Sequence, residues 1–247
     1  MSVTETVSTG LAPEAGAPVL ELIGVRAAYG PIEVLHGVDL TVRAGQVVAL
    51  LGPNGGGKST TVKVAAGLLA PTAGELRYAG RPVAGISAER AAKLGVCTIP
   101  EGRGVFANLT VRENLWLATG TGTSRDKVED AAYTRFPVLG DRRDQLAGSM
   151  SGGEQQMLAL SRALATDPAV LLLDELSMGL APMIVAAIYD TVAHLVEEGI
   201  SVLVAEQFAR TVLPIADLAA VMLNGRITAV GAPADIAADL STAYLGG

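Results

Sequence analysis

The chain has 247 residues, half of them hydrophobic and only 17% charged, with a mean hydropathy of +0.42. That hydropathy suggests a membrane protein, but spanning a bilayer takes about 20 consecutive apolar residues; the conspicuous apolar runs, Val47–Leu51, Ala169–Leu173 and Val202–Ala205, are five residues or fewer. Eighteen basic against 25 acidic residues give a net charge of −7, and no Lys/Arg cluster follows a phosphate backbone, so nucleic acid is excluded as a partner.

Residues 1–18 carry no Lys or Arg and no apolar core segment, which argues against a secretory signal and reads as a disordered tail. Val19–Val25 and Val34–Val42 read as strands around a turn at Tyr29-Gly30-Pro31. Val47–Leu51 is a buried strand that runs into Gly52-Pro53-Asn54-Gly55-Gly56-Gly57-Lys58-Ser59-Thr60 and then a helix to about Leu69. A hairpin turns at Ala79-Gly80, a short helix covers Ser87–Leu94, and Val96–Ile99 is a strand.

From Glu101 to Met150 the strand signal is absent. Thr110–Thr119 and Asp126–Phe136 read as helices joined by the flexible stretch 119–124, a helical insertion. The alternation then resumes: a helix from Ser151 to Thr166, the strand Ala169–Asp174, the helix Pro182–Glu198, the strand Ile200–Ala205 and a short helix from Phe208. The chain closes on a hairpin, Asp217–Leu223 and Arg226–Val230, at Asn224-Gly225. Strands alternating with helices predict an α/β fold with a mostly parallel sheet. Cys97, alone and in an apolar segment, is expected to be a buried thiol, as suits a reducing cytoplasm.

Three elements carry chemistry. Gly52-x-x-x-x-Gly57-Lys58-Ser59 sits between a strand and a helix, the setting of a phosphate-binding loop: backbone amides converge on phosphate oxygens, Lys58 adds charge, and Ser59 offers a hydroxyl to magnesium. Val170–Leu173 delivers Asp174 to the carboxyl end of a strand, where it can hold magnesium through water; Glu175 is placed to orient or deprotonate an attacking water. Ser151-Gly152-Gly153-Glu154 fits a capping box, and its two glycines leave an exposed helix start that can receive an anion.

In this order and spacing the three elements resemble the ATP-binding subunit of an ABC transporter over residues 19–247. Within that family the chain is most similar to the ATP-binding subunits of branched-chain amino acid importers. The residues behind that likeness are Ile99-Pro-Glu-Gly-Arg-Gly-Val-Phe106, Met150-Ser-Gly-Gly-Glu-Gln-Gln-Met157, Gly179-Leu-Ala-Pro182, Ala205-Glu-Gln207 and Ala243-Tyr-Leu-Gly-Gly247. The resemblance implies a P-loop NTPase fold of ABC type: a parallel core, an antiparallel β subdomain and a helical subdomain inserted at about 101–150.

It further implies ATP and Mg2+ as ligands and a cytoplasmic position, peripheral to the membrane. The implied partners are permease subunits met through Glu101–Leu115, a second cassette and, indirectly, a solute-binding protein. Ser151–Glu154 of one cassette would face the γ-phosphate held by Lys58 of the other. Tyr29, alone a strand-end tyrosine, matches the residue that stacks on adenine, and Glu101 stands where a magnesium-touching glutamine is usual. Three further positions depart from the family: Gln207 replaces a γ-phosphate histidine, Ala181 an intersubunit aspartate and Leu176 a proline. The Gln207, Ala181 and Glu101 set suits a heterodimer, its partner supplying the missing histidine and aspartate. A cargo such as urea or amides, or a non-transport ABC ATPase, would be the alternative. His36 and His194 lack neighbours at metal spacing, Trp116 reads as helical-domain core, and Glu129-Asp130 and Glu197-Glu198 as solvated helix faces.

Overall fold

The computed structural model describes residues 16–102, 104–121 and 123–238. Residues 1–15, most of the expected tail, and the Ala243–Gly247 ending lie outside them. The tail was expected to reach residue 18, but Pro18 already pairs with Arg43 as the first residue of a strand.

Two sheets enclose one helix. The first is antiparallel, with β1 (Pro18–Tyr29), β2 (Ile32–Arg43), β4 (Ala73–Tyr78) and β5 (Arg81–Pro82) in the order β2-β1-β4-β5. The second contains β3 (Val47–Leu51), β6 (Val96–Ile99), β7 (Val170–Asp174), β8 (Ser201–Glu206), β9 (Leu218–Leu223) and β10 (Arg226–Gly231). Their order is β10-β9-β3-β8-β7-β6, parallel except for the β9–β10 hairpin. Every residue of β3, β7 and β8 is buried, as parallel strands covered on both faces require.

Alternation within those strands divides the core. Ala49, Leu171 and Val204 face one hydrophobic cluster, whereas Leu50, Leu172 and Leu203 face the other. The helix α1 (Lys58–Ala65) lies in the second cluster, packed against both sheets. It ends four residues before the expected Leu69. The Tyr78 hydroxyl claims the Ala65 carbonyl at 2.7 Å, and Gly67 turns left-handed at φ 69, a common helix stop.

After α2 (Ala88–Lys93) and β6, the chain is helical: α3 (Val111–Trp116), α4 (Arg125–Arg135) and α5 (Pro137–Asp141) precede α6 (Gly152–Leu164). This excursion closes on itself where Val111 N–H donates to Gln145 O and Ala147 N–H to Leu109 O. Trp116 and Glu129 depart from expectation. The half-buried Trp116 ring lies 4.4 Å from the Arg125 guanidinium, and its Nε1 donates to Glu129 Oε1 at 2.6 Å. Tyr133 also donates to Glu129, so that carboxylate is tied rather than free in solvent. The helices α7 (Pro182–Glu197) and α8 (Ala209–Val212) complete the second layer. Among the described residues no helix is long and apolar enough to cross a membrane.

Candidate nucleotide site

The loop between β3 and α1 is walled by the hairpin turn of β9 and β10. A Cβ on Gly52 would fall 2.1 Å from Met222 O. Gly225 N–H donates to Gly56 O at 2.8 Å, while Gly225 O accepts from His36 N–H. Asn224 and Gly225 both have positive φ, and a Cβ on Gly225 would lie 1.9 Å from Val34 O. Thus the Asn-Gly pair, legible in the sequence as a hairpin, also fixes the shape of the loop.

Lys58 is 3% exposed, yet its ammonium is not left unpaired. Nζ donates to Gly52 O at 3.0 Å and Pro53 O at 3.1 Å, and stands 3.1 Å from Glu175 Oε1. Ser59 Oγ donates to Asp174 Oδ1 at 3.0 Å. Two distant segments therefore meet through two side-chain contacts, which join the phosphate loop to the end of β7. Burial pushes the Asp174 carboxyl up to about 6; the Ser59 hydrogen bond opposes this, while the Glu175 and Glu101 charges add to it. Glu101 is exposed but acts on the same center.

A hydroxyl and a carboxylate side by side suit a hard cation such as magnesium, which keeps waters and takes phosphate oxygens for its remaining positions. Among the described residues no cluster of three His, Cys, Asp or Glu could hold a metal alone. The donor set fits magnesium that arrives with a nucleotide.

Glu175 is 8% exposed and adopts φ 50, a left-handed conformation that costs a non-glycine residue roughly 1–3 kcal/mol. Its N–H donates to Ala205 O at 2.9 Å. Gln207 follows β8 and is exposed. Tyr29 closes β1, 43% exposed, with Lys63 Nζ 5.8 Å from its ring; the structure does not join it to the loop.

Ser151 caps α6 in a complete capping box with Glu154. Glu154 also pairs with Arg142 at 3.0 Å. A Cβ on Gly153 would meet Ile184 at 2.4 Å, so packing against α7 sets that glycine as well. Among the described residues, neither Ser151 nor Glu154 bonds to the phosphate loop of its own chain. Leu176, which departs from the usual proline, is 1% exposed and belongs to the first core cluster.

Sequence reasoning missed two residues. Asn114, 0% exposed, accepts from Phe106 N–H and donates to the carbonyls of Phe106, Leu109 and Thr110; it fixes the loop within Glu101–Leu115. Glu206 is buried at the end of β8. Its signal was a charged residue ending an apolar strand.

Fold and site define a P-loop nucleotide-binding cassette, with a cation-ready hydroxyl–carboxylate pair beside a buried glutamate. The family model for ABC transporters matches residues 35–177, and the chain belongs to that family. It is 42% identical over 228 residues to the high-affinity branched-chain amino acid transport ATP-binding protein BraG of Pseudomonas aeruginosa, covering 90% of this chain and 97% of that one. It is 35% identical over 213 residues to the probable branched-chain amino acid transport ATP-binding protein LivF of Archaeoglobus fulgidus, covering 85% and 90%. The crystal structure of a nucleotide-free ATP-binding cassette from an ABC transporter superposes with a TM-score of 0.79 at 27% identity, covering 91% and 95%.

Proposed function

We propose that this chain is the ATP-hydrolysing subunit of an importer for branched-chain amino acids, acting at the cytoplasmic face of the membrane. The convergence of Lys58 and Ser59 with Glu175 and Asp174 carries the ATPase reading; likeness to BraG over nearly its whole length supports the cargo.

In this reading the amides of Gly55–Thr60 and the Lys58 ammonium hold the β- and γ-phosphates. Lys58 exchanges its carbonyl and Glu175 contacts for phosphate oxygens. Ser59 and Asp174 hold magnesium, with Glu101 beside them, and the ion when bound neutralises developing phosphate charge. Glu175 orients the attacking water and accepts its proton, while Gln207 donates a hydrogen bond near the γ-phosphate. Tyr29 stacks on adenine.

The Ser151–Glu154 helix start faces the nucleotide of a second cassette; its capping box leaves it free of hydrogen bonds to the phosphate loop of its own chain among the described residues. Heterodimerisation is favoured by Gln207 and Ala181, which lack the proton-carrying and bridging groups a symmetric pair would use. A groove lined by Ile99, Pro100, Leu117 and Ala159, with Phe106 and Leu117 exposed, receives the permease. A solute-binding protein contacts the assembly only through that permease.

Reconstitution in liposomes with the permeases and binding protein encoded beside it tests this. Leucine, isoleucine or valine uptake should require internal ATP and stimulate phosphate release. ATP hydrolysis that drives uptake of amides or urea but not these amino acids would overturn the cargo; no hydrolysis would overturn the whole reading.

A further inference from the structure

Glu206 has no part in the chemistry above, yet it is 1% exposed and surrounded by donors. Oε1 accepts from Ser177 N–H at 2.9 Å and from the Tyr189 hydroxyl at 2.5 Å, while Oε2 accepts from the Ser177 hydroxyl at 2.7 Å. Among the described residues no Lys, Arg or His forms an ion pair with it. All three contacts use the carboxylate as acceptor. Burial, then the Glu206 charge and hydrogen bond, push the Tyr189 hydroxyl far above its ordinary value, so it remains a donor.

A buried carboxylate held only by neutral donors is expensive, and an apolar residue would fill a strand end at lower cost. Its placement explains the expense. Along the sheet, Glu206 is in register with Leu51, the residue before Gly52, and Ala205 with Asp174. The Glu206 carbonyl accepts from Gly52 N–H at 3.3 Å, and the next residue is Gln207. The carboxylate grips Ser177, two residues beyond Glu175. Glu175 itself sits in a strained left-handed conformation, which persists only where surrounding structure over-determines it. Its own N–H is held by Ala205, and the chain beyond it by Glu206.

We propose that Glu206 is a positioning residue for hydrolysis, fixing Glu175 and Gln207 relative to each other and to the phosphate loop. It is not a catalytic residue: both oxygens are occupied and closed to solvent. It acts through Ser177 on the Glu175 backbone, and through its own main chain on Gly52 and Gln207. The segment beyond Ser177 emerges at Met178, which is 47% exposed. Displacement of that segment by a second cassette would therefore reach Glu175 through the same carboxylate.

This role rests on the ATPase reading, and one set of measurements separates their failures. Phosphate release, binding of a fluorescent ATP analogue and melting temperature are measured on the full chain and on Glu206→Gln, Ser177→Ala, Ser177→Thr and Tyr189→Phe. Glu206→Gln should lower kcat about 10- to 100-fold, with nucleotide Kd changed less than about 2-fold and little change in melting temperature. Ser177→Ala should lose kcat in the same way, and Ser177→Thr, which keeps the hydroxyl, should recover most of it. The pair Ser177→Ala with Glu206→Gln should be no slower than Glu206→Gln alone. Should Glu206→Gln not fold, Ser177→Ala and Tyr189→Phe carry the test by the same split. Wild-type kcat in a folded Glu206→Gln or in Ser177→Ala would overturn the proposal, as would kcat losses that merely track melting temperature or Kd. A wild-type chain that releases no phosphate would overturn the proposed function and this role with it.

Discussion

In the proposed function the contact between Glu175 and Lys58 changes meaning as a nucleotide arrives. Without phosphate the glutamate stands 3.1 Å from a lysine that is almost fully buried; a bound triphosphate would take over that pairing and release the glutamate toward water. Replacing Glu175 by Gln removes one negative charge beside the phosphate oxygens and leaves an acceptor for Lys58. We expect nucleotide affinity to hold or rise, while steady-state phosphate release falls roughly 10²- to 10⁴-fold, the range of a lost general base. Equilibrium binding and phosphate release on one preparation check this; retained turnover would place the base elsewhere. At this scale the sequence was legible wherever a motif combined residue type with a local turn. Gly52–Thr60, Asp174 and Glu175 needed only a strand before them. Glu206 and Asn114 went unread, because Glu206 meets Ser177 and Tyr189, 29 and 17 positions away, and Asn114 ties down a loop that reaches back to Phe106, 8 positions away; a charge ending an apolar strand was the one hint of the first.

Elements were legible to within a few residues, since parallel strands announce themselves as short apolar runs and the Asn224-Gly225 and Ala79-Gly80 pairs fix their hairpins. The errors fall where tertiary bonds decide an end, as at α1, or where a helix is too short for its period to show, as at α5. The start of α7 presents a different situation. Ala181 occupies the cap position with extended backbone and no side-chain hydrogen bond, and Pro182 follows at the first helical turn. An aspartate at 181 would accept from a first-turn amide and oppose the helix dipole, worth about 0.5–2 kcal/mol. Ala181→Asp should therefore raise the melting temperature by about 1–8 °C for a chain of this size. Thermal unfolding with and without added salt measures it, and an unchanged or lower value would show that the α7 amides are already satisfied. As it stands, Ala181 leaves the start of α7 without a side-chain cap.

At the scale of the whole molecule, several exposed features gather at the carboxyl ends of the parallel strands and the helix starts beyond them. Gln207 stands exposed just beyond β8, Glu101 adds charge beside Asp174, and Met178, Met183 and Phe208 are exposed along the segments that follow β7 and β8. Ser151 and Glu154 complete a capping box, and among the described residues neither hydrogen-bonds to the phosphate loop of its own chain. In the proposed assembly a second cassette meets this surface, and a copy of this chain would bring neither a protonatable side chain at position 207 nor an acidic one at position 181. We propose that a non-identical partner supplies both, so that the two ATP sites differ in chemistry. We expect the purified transporter to contain one copy of this chain and one of a different cassette, counted by native mass spectrometry. Inactivating Glu175 here and the corresponding glutamate in the partner, one at a time, should then reduce turnover unequally, because the groups around each water differ. A factor of three corresponds to only about 0.65 kcal/mol of barrier, so even modest asymmetry is measurable. Two copies of this chain in the active complex would sink the heterodimer, and equal losses in a mixed complex would show that Gln207 and Ala181 leave the two sites equivalent.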